Sequence, residues 1–556
     1  MNLLLPVVLF VPLARPSAMP RALDVTSFGA RPDSGEDATI PFRQALAAAR
    51  SAKRPLTLLV PAGRYDFFST HATRRPCYFS NATEAGSNAI RTIALDLSGI
   101  NGLTVEGEGA RLIMRGKMTM LAAEGCRNLS LRGLEFDFAR PAVSEITATE
   151  KGDGYWIGRV NPDSTYHLVG DRIEWFGEDW HAFHNLTQPY DPVTKTTWRG
   201  EDPTVCTSVR EVGPRLLRFE TDRSVVVGRT YQFRDVTRDQ AGMWFSRCRN
   251  VAMTDVKVRS MAGFGALFQF TENVDLHHVD VSPAPGRTCA SASDILHFSG
   301  CRGKIRVADC ILTAAHDDAV NVHGTHLRVM ADEGARRIRV RFMHEQTWGF
   351  AAFAPGDEIE FVNKDTLLPY AKAKVTEFAM TADPREQILT LDRDLPPGLK
   401  LNSDVIENVT WTPSVEITGC EIAKLPTRGI LISTRRPVKI VGNRFHRIPM
   451  PAVLVADDAK SWYESGPVRN LLVKGNRFFQ CAGPVVEIDP QITTFAGPIH
   501  RNIRIEENEF IGDGHPLVAA KGVDGLQCVR NHTTQADLVR VEHAGHVKVE
   551  KNSTGG

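Results

Sequence analysis

Val251-Ala-Met-Thr-Asp-Val-Lys-Val258 carries apolar residues at offsets 0, +2, +5 and +7. Period-2 alternation on either side of a one-residue break describes two short strands meeting at a corner. The same spacing recurs at Val274/Leu276/Val279/Val281, Ile305/Val307/Cys310/Leu312 and Val415/Ile417/Cys420/Ile422, with further copies starting at Leu129, Val438, Leu471, Ile503, Leu526 and Val547. Starts at 251 and 274, 415 and 438, and 503 and 526 are each 23 residues apart, which sets the length of one turn of a coil. A repeat this short, made of strands alone, predicts an all-β chain wound as a right-handed parallel β-helix.

In the later copies the +5 position becomes Asn443, Asn476, Asn508, Asn531 and Asn552. Asparagine tolerates the left-handed backbone of a tight corner, and stacked carboxamides can bond coil to coil, so an internal asparagine ladder is expected.

Two gaps interrupt the count, 122 residues between Leu129 and Val251 and 110 between Ile305 and Val415. Both hold short alternating pieces and turn residues, such as Tyr155-Trp-Ile-Gly-Arg-Val160 and Arg337-Ile-Arg-Val-Arg-Phe342, and are read as inserted antiparallel, barrel-like β modules. The expected organisation is a signal peptide over 1–22, an N-terminal coil with a capping helix (Ile40 to Ala52) over 23–139, a first insert over 140–240, catalytic coils over 241–327, a second insert over 328–412, and closing coils over 413–556. A helix across the open end would cover strand edges that otherwise invite aggregation.

The apolar run Asn2-Leu-Leu-Leu-Pro-Val-Val-Leu-Phe-Val-Pro-Leu-Ala14 is too short to span a bilayer and is followed by small residues, hence a secreted or periplasmic protein with no membrane partner. With 66 basic against 65 acidic residues, nothing points to a nucleic-acid groove that works through bulk charge. Cys126, Cys248 and Cys301 each stand just before a strand, as a stacked column of buried thiols would, at a spacing that a disulfide could also bridge.

The chemistry gathers in two aligned segments. Asp294-Ile-Leu-His-Phe-Ser-Gly300 superposes on Asp318-Ala-Val-Asn-Val-His-Gly324, placing Asp294 in register with Asp318 and leaving Asp317 as an adjacent extra carboxylate. Neighbouring coils lie about 4.8 Å apart. The row then reads Ala266, Asp294, Asp318, Arg428, Pro451. Aspartates stacked coil on coil repel unless something uses them, and carboxylates on one concave face suit glycoside hydrolysis by an acid and a base. Asp294 and Asp318 are read as a shared base that holds water, and Asp317 as the acid, its pKa raised by like charge. His297, Asn321 and His323 lie on the opposite phase of these strands and are read as ligands of sugar hydroxyls, with Arg428 as the neighbouring cation. The loop Asp457-Asp-Ala-Lys-Ser-Trp-Tyr-Glu464 offers Trp462 as a flat face for a pyranose and Glu464 as a hydroxyl acceptor. No metal is expected. His277 and His278, adjacent on a strand, should face opposite ways, and no Cys or His set has zinc spacing.

The opening Asp24-Val-Thr-Ser-Phe-Gly-Ala30, the Pro61-Ala-Gly-Arg-Tyr65 element and a lone Asp one coil before an Asp-Asp pair resemble the pectinase-like β-helix superfamily. Two features depart from its polygalacturonases: no Arg-Ile-Lys motif follows, and Asp294 precedes Ile-Leu-His. With its two inserts and His316-Asp-Asp-Ala-Val-Asn-Val-His-Gly324, the chain is more similar to glycoside hydrolase family 110 over nearly its whole mature length. That resemblance implies an exo-acting α-1,3-galactosidase that inverts configuration, uses no cofactor, and takes terminal α-1,3-linked galactose from glycans such as the blood group B determinant. It also implies Asp294, Asp317 and Asp318 as the catalytic residues. The competing readings are a polygalacturonase-like or sulfated-galactan hydrolase on the same fold, and a non-catalytic carbohydrate-binding β-helix.

Overall fold

The pattern starts pair with one another directly from Leu129 to Leu526. In this computed structural model Leu129 faces Val251, Val251 faces Val274, Val274 faces Ile305, and Ile305 faces Val415. The series runs on through Val438, Leu471, Ile503 and Leu526, all in parallel register. The coil therefore resumes across each long gap as though the insert were absent. The structure describes residues 22–82, 89–184, 186–234, 238–512, 514–534 and 538–554. Most of the expected signal peptide, residues 1–21, lies outside them. Among the described residues no helix is long and apolar enough to cross a membrane.

The chain is a right-handed parallel β-helix. One long sheet carries the two strands of each four-point repeat, and a second carries Phe264–Gln269, Leu296–Ser299, Val320–Thr325, Ile430–Ile432 and Val453–Asp457 as neighbours. Between the sheets, like side chains stack in columns at the coil repeat. Phe245, Phe268 and Phe298 have ring centroids 4.7 and 4.9 Å apart, and Phe445, Phe478 and Phe510 repeat those distances. This matches the inter-strand spacing, so each ring is buried by its own copy above and below. All ten cysteines are free thiols, and all but Cys206 are buried.

The asparagine ladder forms, with one revision. Each rung's Oδ1 accepts both the main-chain N–H and the Nδ2–H of the rung before it, from Asn443 through Asn476, Asn508 and Asn531 to Asn552, at 2.8–3.0 Å. The left-handed residue, however, is the one immediately before each rung: Gly442, Gly475, Glu507, Arg530 and Lys551 have φ between 56° and 66°. The corner's strain thus falls on a neighbour that glycine often fills. Asparagine is there to satisfy the buried N–H groups that the corner turns inward.

The helix Thr39–Ala52 buries Phe42, Ala45, Leu46 and Ala49, one stripe at helical spacing, over the first coil. Phe42 packs edge-on against Tyr65 and Phe67 at 5.5 and 4.9 Å. The first insert is a seven-stranded antiparallel sheet with a smaller three-stranded one, cored by Trp156 stacked on Phe219. The second is a closed barrel of Leu327–Gly334, Arg337–Arg341, Glu386–Leu391, Pro369–Met380, Glu358–Val362 and Val405–Asn408. Arg435 from the coil pairs with Glu360 (2.9 Å) and Glu407 of that barrel and ties it to the helix.

Candidate active site

Leu296 stands opposite Val320, Val320 opposite Ile430, and Ile430 opposite Val453. Two residues upstream on each strand, Asp294, Asp318, Arg428 and Pro451 therefore share one level, as the sequence indicated. The first member of that row is corrected: Ala266 pairs with Leu296, so the level above Asp294 belongs to Phe264. A slip of two residues keeps every side chain on its own face, and an apolar strand gives alternation nothing with which to detect it.

The three aspartates line one pocket of about 350 Å³, together with Asn81, Leu186, Arg199, Arg234, Arg238, Asn321, Gln346, Arg428, Trp462 and Glu464. All three are buried. Their ionisation is the reverse of the expected one. Burial pushes Asp317 upward, but Arg238, Arg428, Arg199 and Arg234 more than offset it and hold Asp317 below the usual carboxylate range. Arg238 Nη2 lies 2.6 Å from Asp317 Oδ2, Arg199 3.8 Å and Arg428 4.0 Å from its Oδ1. Burial and then the Asp317 charge push Asp294 up to about 8. Burial, opposed by Arg428 but reinforced by Asp317 and Asp294, raises Asp318 to about 7. Burial first and like charge second thus raise Asp294 and Asp318, and Asp317, which was expected to be raised, is the one that guanidinium groups lower.

Arg428 lies where expected, its backbone N–H and Nε each 3.0 Å from Asp318 Oδ1. Asn321 also faces the pocket and donates to Glu464 Oε1 at 3.3 Å. His297 and His323 do not. Both are fully buried behind the aspartates: His297 Nδ1 is 2.7 Å from Asp294 Oδ2, and His297 Nε2 is 2.7 Å from His323 Nε2. Neither lines the pocket, although both share the strand face of Asn321, because the loop that carries Trp462 and Glu464 folds back over the strand ends and covers them.

Trp462 and Glu464 reach the pocket because their loop folds back. Glu464–Ser465 pairs antiparallel with Gly324–Thr325 at the end of a strand that follows Asp317 and Asp318. Asp458 fixes the turn by accepting the main-chain N–H groups of Lys460, Ser461, Trp462 and Tyr463. His344 stacks on the Trp462 ring at 4.0 Å, and the Arg238 guanidinium stands 5.4 Å from its centroid. Glu464 would be raised by burial, but His323, His297 and Arg428 hold it low, and it accepts from Asn81 Nδ2 at 2.7 Å.

Sequence reasoning missed Asn81, Arg199, Arg234, Arg238, His344 and Gln346. The arginines come from the first insert or its return to the coil, and His344 and Gln346 from the second, where no repeat register exists to place them. The one available signal was the second insert, since it follows directly on the strand after Asp317 and Asp318.

Among the described residues, two side-chain groups have the donor types of a metal site. On the surface, His277 and His278 are brought together with Asp309, contrary to expectation, their rings 3.9 Å apart. His278 sits in the left-handed corner (φ 51°), which breaks the alternation. Each imidazole there already faces a carboxylate, His277 with Asp309 at 3.4 Å and His278 with Asp255 at 3.3 Å. The second group, His297, His323 and Glu464, lies behind the pocket. Its two facing nitrogens, 2.7 Å apart, are at hydrogen-bond separation, whereas two nitrogens on a tetrahedral zinc at about 2.0–2.1 Å would stand roughly 3.3 Å apart.

Comparison with known proteins gives a consistent result. The family description "GLAA-B beta-barrel domain II" matches residues 337–406, within the closed barrel. An alpha-1,3-galactosidase A of Bacteroides fragilis is 38% identical over 535 residues, covering 93% of this chain and 87% of that protein. One from Bacteroides thetaiotaomicron is 35% identical over 540 residues, covering 94% and 95%. Among solved structures, an exopolygalacturonase from Thermotoga maritima aligns over 95% of this chain and 91% of its own, with a TM-score of 0.45 and 12% identity.

Proposed function

The chain belongs to the alpha-1,3-galactosidase family of glycoside hydrolases, and from that premise we propose that it removes terminal α-1,3-linked galactose from glycans, such as blood group B-type or linear α-1,3-galactosides, with inversion of configuration. One observation carries the reading: three buried aspartates of opposed ionisation meet in a single pocket of about 350 Å³. That volume is at the small end for ligand pockets, which suits one terminal sugar rather than the middle of a chain. A group that already holds a proton and one already ionised are what a direct displacement needs.

In the reaction, the proton of a raised aspartyl carboxyl moves to the glycosidic oxygen as the C1–O bond breaks. Water attacks C1 from the opposite face and gives its proton to the Asp317 carboxylate. Asp318 keeps Arg428 on this floor, and Trp462 with Asn321 and Glu464 receives the sugar. The apolar run at the N-terminus supports secretion or a periplasmic site, where such glycans are met. Four arginines around the acids are the feature that favours a charged galactan, although Arg238 and Arg428 are committed to Asp317 and Asp318.

Proton NMR of a fresh digest tests the reading, on a panel of branched group B glycan, linear α-1,3-digalactoside, the α-1,4 and α-1,6 isomers, and a sulfated galactan. β-Galactose released first from the α-1,3 substrates is expected. α-Galactose appearing first would require a covalent intermediate and defeat the inverting scheme, and turnover confined to the sulfated galactan would defeat the substrate assignment.

A further inference from the structure

We infer that Asp255, His277, His278 and Asp309 form a surface site for a divalent transition ion such as zinc, with the two imidazoles and the Asp309 carboxylate as ligands and Asp255 orienting His278. None of the four lines the pocket that holds the aspartates 294, 317 and 318, so the site stands apart from the galactosidase reading.

The corner of the four-point repeat builds it. Asp255, His278 and Asp309 each follow the pattern start of their coil (Val251, Val274 and Ile305) by four residues, and all three adopt the left-handed backbone, with φ of 54°, 51° and 53°. The Asp255 N–H donates to His277 O at 3.2 Å and the His278 N–H to Ala308 O at 3.1 Å, so the three corners lie one over another. On either side the same corner is glycine, Gly133 before and Gly419, Gly442 and Gly475 after. Left-handed backbone favours glycine, so these three coils keep acid, imidazole and acid in a column against a conformational cost. Where later corners carry side chains again, Glu507 and Arg530 pair with each other at 2.9 Å.

His277 ends the strand Glu272–His277 beside this column, and one donor atom from each of His277, His278 and Asp309 falls within 4.8 Å of the other two. Five other imidazoles of the chain face a carboxylate at 2.6–2.9 Å, the range of a hydrogen bond. His277 Nε2 and Asp309 Oδ2 stand 3.4 Å apart instead. That is long for such a bond and close to the roughly 3.3 Å between two ligands of a tetrahedral zinc, the separation that the His297 and His323 nitrogens fail to meet. His278 Nδ1 faces Asp255 Oδ1 at 3.3 Å. With the ion on the other ring nitrogen, Nδ1 keeps its proton and donates it to Asp255, which fixes the ring as carboxylates do behind metal-bound imidazoles. A Cβ on Gly419 would come within 2.3 Å of Asp309 Oδ1, so glycine at the next corner clears room for that carboxylate. Two imidazoles and a carboxylate suit zinc, nickel or copper, whereas calcium and magnesium take oxygen shells. His278 and Asp309 are each 54% exposed, which lets the ion enter from solvent and leaves its last position to water. The three coils so joined carry Phe264–Gln269, Leu296–Ser299 and Val320–Thr325 on the second sheet, and an ion held only by the folded chain stabilises them.

Calorimetric titration of the full chain, free of any histidine tag, with zinc chloride and in parallel with calcium chloride tests the site. One zinc per chain and no calcium is expected. His277→Ala and Asp309→Asn, made separately, should each weaken zinc binding by about tenfold or more, and Asp255→Asn by about tenfold through the ring it orients. His546→Ala is the control: that exposed imidazole faces Asp524 at 2.7 Å, and its loss should leave the zinc isotherm unchanged. Saturating zinc should also slow unfolding of the wild type and not of His277→Ala. A wild type that binds no zinc, binding that survives undiminished in His277→Ala and Asp309→Asn, or an equal loss in His546→Ala overturns the site. The titration needs no substrate, so its failure leaves the galactosidase reading untouched.

Discussion

Replacing Arg238 with methionine should raise the pH at which the Asp317 carboxyl ionises by about two units. Arg238 Nη2 is 2.6 Å from Asp317 Oδ2, with the two side chains 13% and 8% exposed, so solvent screens the pair weakly. Unit charges with centres about 4 Å apart interact by about 4 kcal/mol at an effective dielectric of about 20, equivalent to roughly three pKa units. Arg199 and Arg428 remain at 3.8 and 4.0 Å, and the shorter side chain admits water, so a rise of about two units is the working figure. The sign follows from the depressed pKa: stability lent by Asp317 is present at neutral pH and lost as the pH falls through its folded value, and the variant forfeits it earlier. Breaking the buried pair should itself cost about 3–5 kcal/mol, so activity must be read well below the unfolding temperature. The assay is kcat/KM against pH on an α-1,3-galactoside, where the acidic limb should climb by about two pH units. Arg199→Met is the control: its side chain is 57% exposed and its limb should move by less than about half a unit. An acidic limb unmoved in Arg238→Met, or a loss uniform over pH, would show that Arg238 is not what keeps Asp317 ionised.

Trp462→Ala should raise KM several-fold more than it lowers kcat, if the ring meets ground state and transition state alike; an unchanged KM with collapsed kcat would refute the platform. Asn476→Ala removes four hydrogen bonds inside the coil, to Ile440 O, to Asn508 Oδ1, and from the N–H and Nδ2–H of Asn443, about 4 kcal/mol at roughly 1 kcal/mol each. A chain this long need not unfold reversibly, so the comparison is of unfolding rates, and Asn552→Ala, which loses three bonds at the partly exposed end, should be much milder. Equal rates for the two variants would remove the ladder's claim to hold the coil.

The coil was legible because its repeat is local. Each strand pair places its own apolar residues at fixed offsets, and stacking identical turns needs no long-range information beyond the count. For the same reason Asp294, Asp318 and Arg428 could be aligned from sequence alone. What the repeat could not carry was anything arriving from outside it. Arg238 and Arg199 enter from a region with no register, yet they decide which aspartate is ionised. Without them, the rule that like charges raise one another pointed at Asp317. The histidines failed for a different reason. Alternation correctly put His297 and His323 on the face opposite Leu296 and Phe298, but a β-helix face has depth: the Trp462 loop folds back over the strand ends and turns part of that face into interior.

The ionisation pattern also explains why this floor is built from so many buried charges. Asp294 and Asp318, raised to about 8 and about 7, lower the stability of the fold progressively as the pH climbs from the ordinary carboxylate range toward those values, because the unfolded chain releases protons that the folded one retains. Asp317 acts in the opposite sense and only through its arginines. A structural cluster would gain from eliminating both conflicts with apolar side chains. In this site they persist side by side: a carboxyl that keeps its proton near neutral pH stands within one coil rise of a carboxylate that does not. That difference in proton affinity, held across one pocket by burial on one side and by guanidinium groups on the other, is what an acid and a base acting on the same glycosidic bond require.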